Sequence, residues 1–324
     1  MIVTVTPAPA IDMTIQLERL TLGAVNRAQV CTREPSGKGV NVSWALKSAG
    51  RETHAVLPAA GNAAELIAKA LSGAGIEHTI TKSDHEVRTN ITLLTEGHAT
   101  KINEPAPRLS VENLLRFKEA VIAASGDASS LLICGSLPLE TPATFIKELI
   151  PDIRAVNADI NIGVDTSGPA LVSAVEASPN LVKPNIHELA ELVNMNIDTL
   201  GSAIRACQQA RRMGAHSVLA SLGPDGALLV DAGGVLYARA SGIPFVNSVG
   251  AGDALLAGFF STSGTRSERL SEALLWASSA VGSHTTLTSV REELRPHITV
   301  TDAPSPRVPL TEPAEVPLGI EATI

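Results

Sequence analysis

From Ser130 to Val230 short apolar runs alternate with longer stretches whose apolar residues recur every three or four positions, the pattern of strands feeding helices in a parallel sheet. Strands are predicted at Ser130–Cys134, Asn161–Val164, Leu181–Lys183 and Ser217–Ala220, and helices at Val111–Ala124, Pro142–Ile150, from after Gly168 to Ala177, and at Ile186–Val193. Pro142 suits a first helical turn. Each strand leads into a polar or glycine-bearing loop: Gly135-Ser136-Leu137-Pro138, Asp165-Thr-Ser-Gly168, Pro184-Asn185 and Ser221-Leu-Gly223-Pro-Asp-Gly226, the last followed by a hairpin-like strand, Ala227–Val230. The carboxyl ends of these strands form the edge expected to hold a ligand.

Ahead of this region, Ile2–Thr6 alternates as a strand, and Pro7, Pro9 and Asp12 mark a loop at its carboxyl end. Met13–Glu34 is β-like, with Thr14, Ile15, Val25, Val30 and Thr32, and predicts a small sheet. Helices are expected over Asn41–Ala49, directly after Gly37-Lys38-Gly39, and over Ala63–Gly75. In Val87–Leu94 the alternation is strict, with Val87, Thr89, Ile91 and Leu93 on one face and Arg88, Asn90 and Thr92 on the other. If Glu96-Gly97 is a two-residue turn, Asn90 faces Asn103 and Thr92 faces Lys101. Arg88, Asn90, Lys101 and Asn103 then share one side of a hairpin, as an exposed sheet face or as the polar face of a lid. Apolar helices are predicted from Ala254 through Phe260 and over Ser271–Thr285. Residues 302–324, with Pro304, Pro306, Pro309, Pro313 and Pro317, predict a poorly ordered tail.

Composition narrows the ligand. The 324 residues suffice for one large α/β domain. A net charge of −8 argues against a nucleic-acid or anionic-membrane partner, and 2% aromatic residues leave few platforms for stacking bases, so a small molecule is expected. Cys31, Cys134 and Cys207 lie far apart and suggest neither a disulfide framework nor a zinc site, in keeping with a reducing cytoplasm. The absence of a charged leader and of an apolar run near 18 residues predicts a soluble, unprocessed chain.

The chemistry concentrates in Asn247-Ser-Val-Gly250-Ala251-Gly252-Asp253, which opens the predicted helix ending at Phe260. Free N–H groups at a helix start attract anions, and the glycines let them approach a bound group. Asp253 is then either an N-cap or a base beside an anion hole, an arrangement suited to phosphoryl transfer. A dinucleotide fingerprint is excluded because Leu255 stands where the third glycine belongs, and Ser36-Gly37-Lys38-Gly39 lacks the residues of a P-loop. It nevertheless places two glycines, Lys38 and Asn41 at a helix start, either as a ligand loop or as a loop with a solvated lysine.

With these loops placed, residues 1–300 resemble the ribokinase-like (PfkB) carbohydrate kinases. Asn247–Gly258 is similar to the family's C-terminal signature, and Ser36-Gly37-Lys38-Gly39-Val-Asn41-Val to its N-terminal one, with Ser36 where the family usually has Gly. Lys183-Pro184-Asn185-Ile-His-Glu188 and Ser221–Gly226 resemble its Mg²⁺–ATP segment and its nucleotide loop. The resemblance implies a three-layer α/β/α fold with a mostly parallel central sheet plus a small β-sheet lid, at about 13–34 and 86–104.

It further implies that Asp253 is the base, that the Gly250, Ala251 and Gly252 amides form the anion hole, and that Asp12, Gly39 and Asn41 hold sugar hydroxyls. Lys183, with Ser221, Gly223, Gly226, Gly252 and His284, would meet ATP, while Asn185 and Glu188 would organise Mg²⁺ through water. Without the resemblance, Glu188 reads as a capping residue.

Pro7–Asp12, Gly23–Arg27, Arg88–Asn90, Ile102–Pro105 and Gly135–Pro138 are similar to the family's phosphosugar branch. Its members phosphorylate fructose 1-phosphate, tagatose 6-phosphate or fructose 6-phosphate, and Ser36–Val42 favours the first. Arg27, Lys38, Arg88 and Lys101, with Gly37, Asn90, Asn103 and Ser136, are then expected to surround the substrate phosphate rather than to be solvated surface charges. Apolar lid residues Ile15, Leu17, Val25, Ile91 and Leu93 predict a lid-to-lid homodimer. A non-catalytic phosphosugar sensor on the same scaffold is the alternative of a different class.

Overall fold

The computed structural model describes residues 1–95, 98–243, 249–282 and 289–316. In chain order the elements are β1 (Ile2–Val5), β2 (Ala10–Gln16), β3 (Val30–Ser36), α1 (Lys38–Ser48), β4 (Thr53–Ala59), α2 (Gly61–Gly73), β5 (Glu77–Lys82), β6 (Arg88–Thr95), β7 (His98–Asn103), α3 (Val111–Ser125), β8 (Ser130–Cys134) and α4 (Phe145–Val156). They continue with β9 (Asn161–Asp165), α5 (Gly168–Val175), β10 (Leu181–Val182), α6 (Ile186–Val193), β11 (Ile197–Thr199), α7 (Leu200–Met213), β12 (Ser217–Ser221), β13 (Ala227–Asp231), β14 (Gly234–Ala240), α8 (Ala251–Phe260), α9 (Arg266–Val281), β15 (Ile298–Thr301) and β16 (Pro309–Ala314).

Among the described residues a ten-stranded sheet runs in the order β15-β14-β13-β12-β10-β9-β8-β1-β4-β5. It is parallel from β12 to β5 and antiparallel at β13, β14 and β15. Alternate residues of its strands enter two cores. Val3, Leu131, Ile133 and Val218 pack with α3 to α7, whereas Ile2, Leu132, Cys134 and Leu219 pack with α1, α8 and α9. This division is what burial of a sheet on both faces requires, and it gives the expected three layers. Buried hydroxyls help to seat α1 on the sheet: Ser43 Oγ lies 2.7 Å from Thr4 Oγ1 and 2.8 Å from Thr53 Oγ1.

A second sheet, β3-β2-β6-β7, forms the lid. Its register pairs Asn90 with Asn103 and Thr92 with Lys101, as the alternation predicted, and also pairs Asn90 with Asp12, which lies in β2 rather than in the expected loop. Rows one residue apart point to opposite sides. Glu34, Asp12, Asn90 and Asn103 share the face that carries Arg88 and Lys101, while Met13, Ile15, Ile91, Leu93 and Ile102 share the other. The expected turn at Glu96-Gly97 lies outside the described residues.

Several expectations change. The helix predicted from Pro142 begins at Phe145, because Pro142 instead closes a turn with its carbonyl accepting from the Phe145 amide at 2.9 Å. It also runs through Pro151 to Val156. A proline inside a helix forfeits a backbone bond, but Ile146, Leu149, Ile150 and Ile153 are all fully buried, and that apolar stripe outweighs the loss. The helix predicted from Asn41 already starts at Lys38, so Lys38 and Asn41 occupy its first turn. α9 starts at Arg266 rather than Ser271, since Thr265 and Glu268 form a capping box. Leu17 is buried within the chain and offers nothing to a partner.

The largest departure is the proline-rich tail. Residues 309–314 are a strand paired antiparallel with β11, and Leu310 and Ala314 are buried in the larger core. Burial of two apolar side chains and a strand partner supply what composition alone hides. The remainder, 317–324, lies outside the described residues.

Candidate active site

The loops at the carboxyl ends of β1, β8, β9, β10 and β12 converge with the starts of α1 and α8, and the lid stands over the β1 side. At the centre is Asp165, the last residue of β9 and fully buried. Lys38 Nζ donates to Asp165 Oδ1 at 2.9 Å, and Lys183 Nζ lies 3.1 Å from Asp165 Oδ2. Lys38 also lies 4.0 Å from Glu188 Oε1. Burial alone would raise the Asp165 carboxyl, but Lys183 and Lys38 together more than offset it and hold it below the usual carboxylate range. The Lys38 ammonium is held above its ordinary value although burial opposes this, because Asp165, Glu188 and Asp253 all attract it.

Asp253 stands at the third position of α8, buried, with Asn41 Nδ2 donating to its Oδ2 at 2.8 Å. Its carboxyl is pushed up to about 6, chiefly by burial and then by the Asp165 charge, with Lys38, Asn41 and Lys183 opposing. Gly250 precedes it as the N-cap in the left-handed region, φ 75°, a turn that favours glycine. Among the described residues no side chain caps this helix. Its first N–H groups, Ala251 to Asp253, therefore have no partner inside the helix, a site for negative charge. The sequence expectation included the Gly250 amide. Gly250 belongs to the turn, with its carbonyl accepting from Ala254 at 2.8 Å. A methyl group on Gly252 would come 3.4 Å from Lys183 Nζ, so the lysine and the helix start border one space.

The lid contributes a second cluster. Asp12 accepts from Ser36 Oγ at 2.7 Å and from Asn90 Nδ2 at 3.0 Å, so Ser36 gives a hydroxyl where the family's glycine has none. Arg88 donates through Nη2 to the Ala8 carbonyl at 3.2 Å, and burial, opposed by Asp12, lowers its pKa. On the nucleotide side Asn185 and Glu188 form a capping box: Asn185 Oδ1 accepts from the His187 and Glu188 amides, and Glu188 Oε2 accepts from the Asn185 amide at 2.8 Å. The capping reading of Glu188 thus holds, and it leaves Oε1 turned toward Lys38. Asn185 bridges to Ser221, which joins this segment to the Gly223–Gly226 loop.

Buried polar side-chain atoms without a hydrogen-bond partner gather here. Among the described residues they include Thr6 Oγ1, Asn41 Oδ1, Arg88 Nε, Asn90 Oδ1 and Thr166 Oγ1. Native interiors leave few such atoms, and these, drawn from the ends of β1 and β9, the start of α1 and the lid strand β6, mark a space shaped for a polar ligand.

The structure does not unite every expected residue. Lys101, Asn103 and Ser136 are exposed, and the first two are tied to the site by strand register alone. Arg27 is exposed in the segment between β2 and β3, and among the described residues no hydrogen bond or ion pair joins it to the other cations. Gly39 packs closely on the end of β1: a Cβ there would collide with Thr6 Oγ1 and the Val5 carbonyl. Its packing role stands beside the expected one. Lys183 follows β10 rather than ending it. His284, Asn247 and Ser248 lie outside the described residues. Asp165 was given no role in the sequence reading, although it carried the same signal as Asp12, an acidic residue closing a strand at the ligand edge.

The sequence model of the pfkB family carbohydrate kinases matches residues 6–290. The chain belongs to this family. It is 34% identical over 259 residues to a 1-phosphofructokinase of Bacillus subtilis, covering 80% of this chain and 84% of that one. It is 33% identical over 289 residues to a 1-phosphofructokinase of Haloferax volcanii, covering 87% and 91%. Phosphofructokinase-2 of Escherichia coli, solved in complex with potassium, superposes with a TM-score of 0.85 at 25% identity, covering 91% of this chain and 97% of that one. The kinase is thus an ATP-dependent sugar kinase, and the family match spans the start of α8 with Asp253. Among the described residues no helix is long and apolar enough to cross a membrane.

Proposed function

We propose that this kinase transfers the γ-phosphoryl group of ATP to the free primary hydroxyl of fructose 1-phosphate, giving fructose 1,6-bisphosphate and ADP. The observation that carries the reading is the pairing of a buried, donor-held Asp253 with two lysines fixed on Asp165 at one helix start. Asp253 takes the hydroxyl proton as the oxygen attacks, and a carboxyl near 6 is ionised at neutral pH yet basic enough for that task. The α8 amides, Lys38 and Lys183 stabilise charge on the transferred phosphoryl oxygens. Asp12, Asn41 and Asn90 receive sugar hydroxyls, while Arg88, with Lys101 and Asn103 on the same lid face, receives the substrate phosphate.

The donor set suits a hydrated Mg²⁺. Among the described residues no three His, Cys, Asp or Glu side chains are placed to cage an ion, but Glu188 Oε1 remains available beside Asn185, and Mg²⁺ commonly keeps waters and leans on substrate phosphates. These two residues would hold it through water, where it neutralises phosphate charge.

The choice of acceptor follows the relatives named 1-phosphofructokinase. Structural neighbours named phosphofructokinase-2, one of them solved with fructose-6-phosphate, favour that sugar as the second reading. The lid's outer face of Met13, Ile15, Ile91, Leu93 and Ile102 supports a homodimer through the lid, the last of these being 52% exposed. The test is kcat/KM with ATP for fructose 1-phosphate, tagatose 6-phosphate, fructose 6-phosphate and free fructose. Fructose 1-phosphate is expected to lead by at least about tenfold, which is about 1.4 kcal/mol of transition-state preference. A leading rate for another phosphosugar replaces the acceptor, and turnover of none of them returns the chain to the role of sensor.

A further inference from the structure

The chain beyond residue 290, where the family match ends, crosses back to the Gly223–Gly226 loop. The amides of Leu200 and Gly201 donate to the carbonyls of Val308 and Pro306, both at 2.9 Å, and the Val316 amide donates to Asn196 Oδ1 at 2.9 Å. Leu310 and Ala314 anchor the same segment in the core. Between these anchors Thr311 grips Asp225: its amide donates to Oδ2 at 2.6 Å and its hydroxyl to Oδ1 at 2.8 Å. N–H directions alternate along a strand, and Pro309 and Pro313 have none to give, so on that edge of β16 only Thr311 offers an amide.

Asp225 closes the single 3₁₀ turn Gly223–Asp225 and is buried. Among the described residues its carboxylate has no Lys or Arg partner, and its hydrogen-bond donors come from Thr311 alone. A buried carboxylate deprived of its donors has to turn toward water. Backbone bonds within Leu222–Gly226 and the Tyr237 hydroxyl on the Asp225 carbonyl hold the turn's main chain, but among the described residues Thr311 alone holds its carboxylate. Gly223 and Gly226 are in the left-handed region, φ 58° and 95°, and contribute no side chains to packing. Glu312 lies over the same turn, its Oε2 3.0 Å from where a Gly223 methyl would stand. A carboxylate there repels phosphates and suits the adenosine end of the nucleotide, with the triphosphate running toward Lys183.

We infer that residues 305–316 form a strap that positions the nucleotide loop through the Thr311–Asp225 contact and so sets affinity for ATP independently of the sugar site. This rests on the reading of Ser221–Gly226 as the nucleotide loop. Thr311 is a positioning residue, since it reaches the nucleotide only through Asp225.

The experiment compares wild type, Thr311→Val, Thr311→Ser and Gly223→Ala in the full chain, measuring KM for ATP and for fructose 1-phosphate and calorimetric binding of a non-hydrolysable ATP analogue with Mg²⁺. Thr311→Val is expected to weaken the nucleotide roughly 3- to 10-fold while the sugar KM and kcat at saturating ATP stay within about twofold. Thr311→Ser keeps both donors and should restore wild-type values. Should Thr311→Val fail to fold, Asp225→Ala removes both acceptors of the same contact from the loop side and should show the same nucleotide-specific loss. A lowered melting temperature with unchanged ATP affinity, or equal losses for ATP and sugar, makes the strap purely structural and overturns the inference. Gly223→Ala alters the loop itself at a strained φ. If it leaves nucleotide affinity unchanged, the loop reading fails and the inference falls with it. If it weakens ATP while Thr311→Val does not, the strap alone is refuted.

Discussion

Asn41 Nδ2 donates to Asp253 Oδ2 over 2.8 Å, tying the first turn of α1 to the first turn of α8 across 212 positions of sequence. The bond fixes one carboxylate oxygen and leaves the other for a proton. Asp253→Asn should fold, bind both substrates and lose roughly 10²- to 10⁴-fold in kcat. Retention of wild-type kcat would remove Asp253 from the chemistry.

The same substitution has a second expected effect, of opposite sign. Asp253 is raised from 3.8 to about 6, so between these values the folded chain binds more protons than the unfolded one. Stability from this group is full below about pH 4 and is lost as pH rises through about 6, a difference of about 2 pKa units or up to about 3 kcal/mol. Asp253→Asn should therefore be more stable than wild type at pH 7.5, and the gain should vanish near pH 4. Thermal melts of both proteins across that range test the sign.

Asp165→Asn should shift the acid limb of the pH profile. The Asp165 charge is the second cause of the raised Asp253 carboxyl, so removing it lowers the pH at which kcat/KM for the sugar begins to fall. It also leaves Lys38 and Lys183 without their shared partner, and breaking a buried pair costs on the order of 3–5 kcal/mol. Because the Asp165 carboxyl is itself depressed, its own contribution to stability is present above the usual Asp range and lost on acidification. An unmoved acid limb in a folded Asp165→Asn protein would show that the two carboxylates are uncoupled.

Arg88→Ala should weaken the phosphosugar and spare ATP. Arg88 is only half buried, so the expected loss is about 2 kcal/mol, or about 30-fold in sugar KM. An equal rise in KM for free fructose would deny Arg88 any part in phosphate recognition.

A charge in the middle of the outer lid face, Ile91→Glu, should produce monomers at micromolar concentration, read by sedimentation. Ile91 lies between Met13 and Ile102 in one row, so a carboxylate there would be buried in a lid-to-lid interface. A wild-type chain that sediments as a monomer while active disposes of that interface.

Where local pattern and burial agree, the sequence was readable. Ser130–Cys134 and Ile186–Val193 end where the apolar periodicity ends, and the lid register follows from strict alternation in Val87–Leu94. The reading failed where a distant contact overrides local preference. Pro151 stops a helix on paper, but Ile153 has a core to reach; the tail prolines forbid a helix without forbidding an edge strand on β11. Asp165 was the costliest omission, because its importance comes from Lys38 and Lys183, 127 residues before it and 18 after it respectively, which only the fold assembles. Arg27 shows the other limit: its charge suits the pocket, but it is exposed, and among the described residues no hydrogen bond or ion pair links it to the other expected cations.

Only Gly37 separates β3 from α1. Its φ is 124°, and a Cβ there would lie 2.7 Å from Thr6 Cγ2 and 3.2 Å from Pro9 Cα, so other residues are resisted both by the dihedral and by the neighbouring chain. The lid strand is thereby joined to the helix that carries Lys38 by one tightly packed residue, with Lys38 pinned to Asp165 on its far side. A larger side chain at Gly37 would be felt at both ends, displacing the lid strand and drawing the lysine off its post.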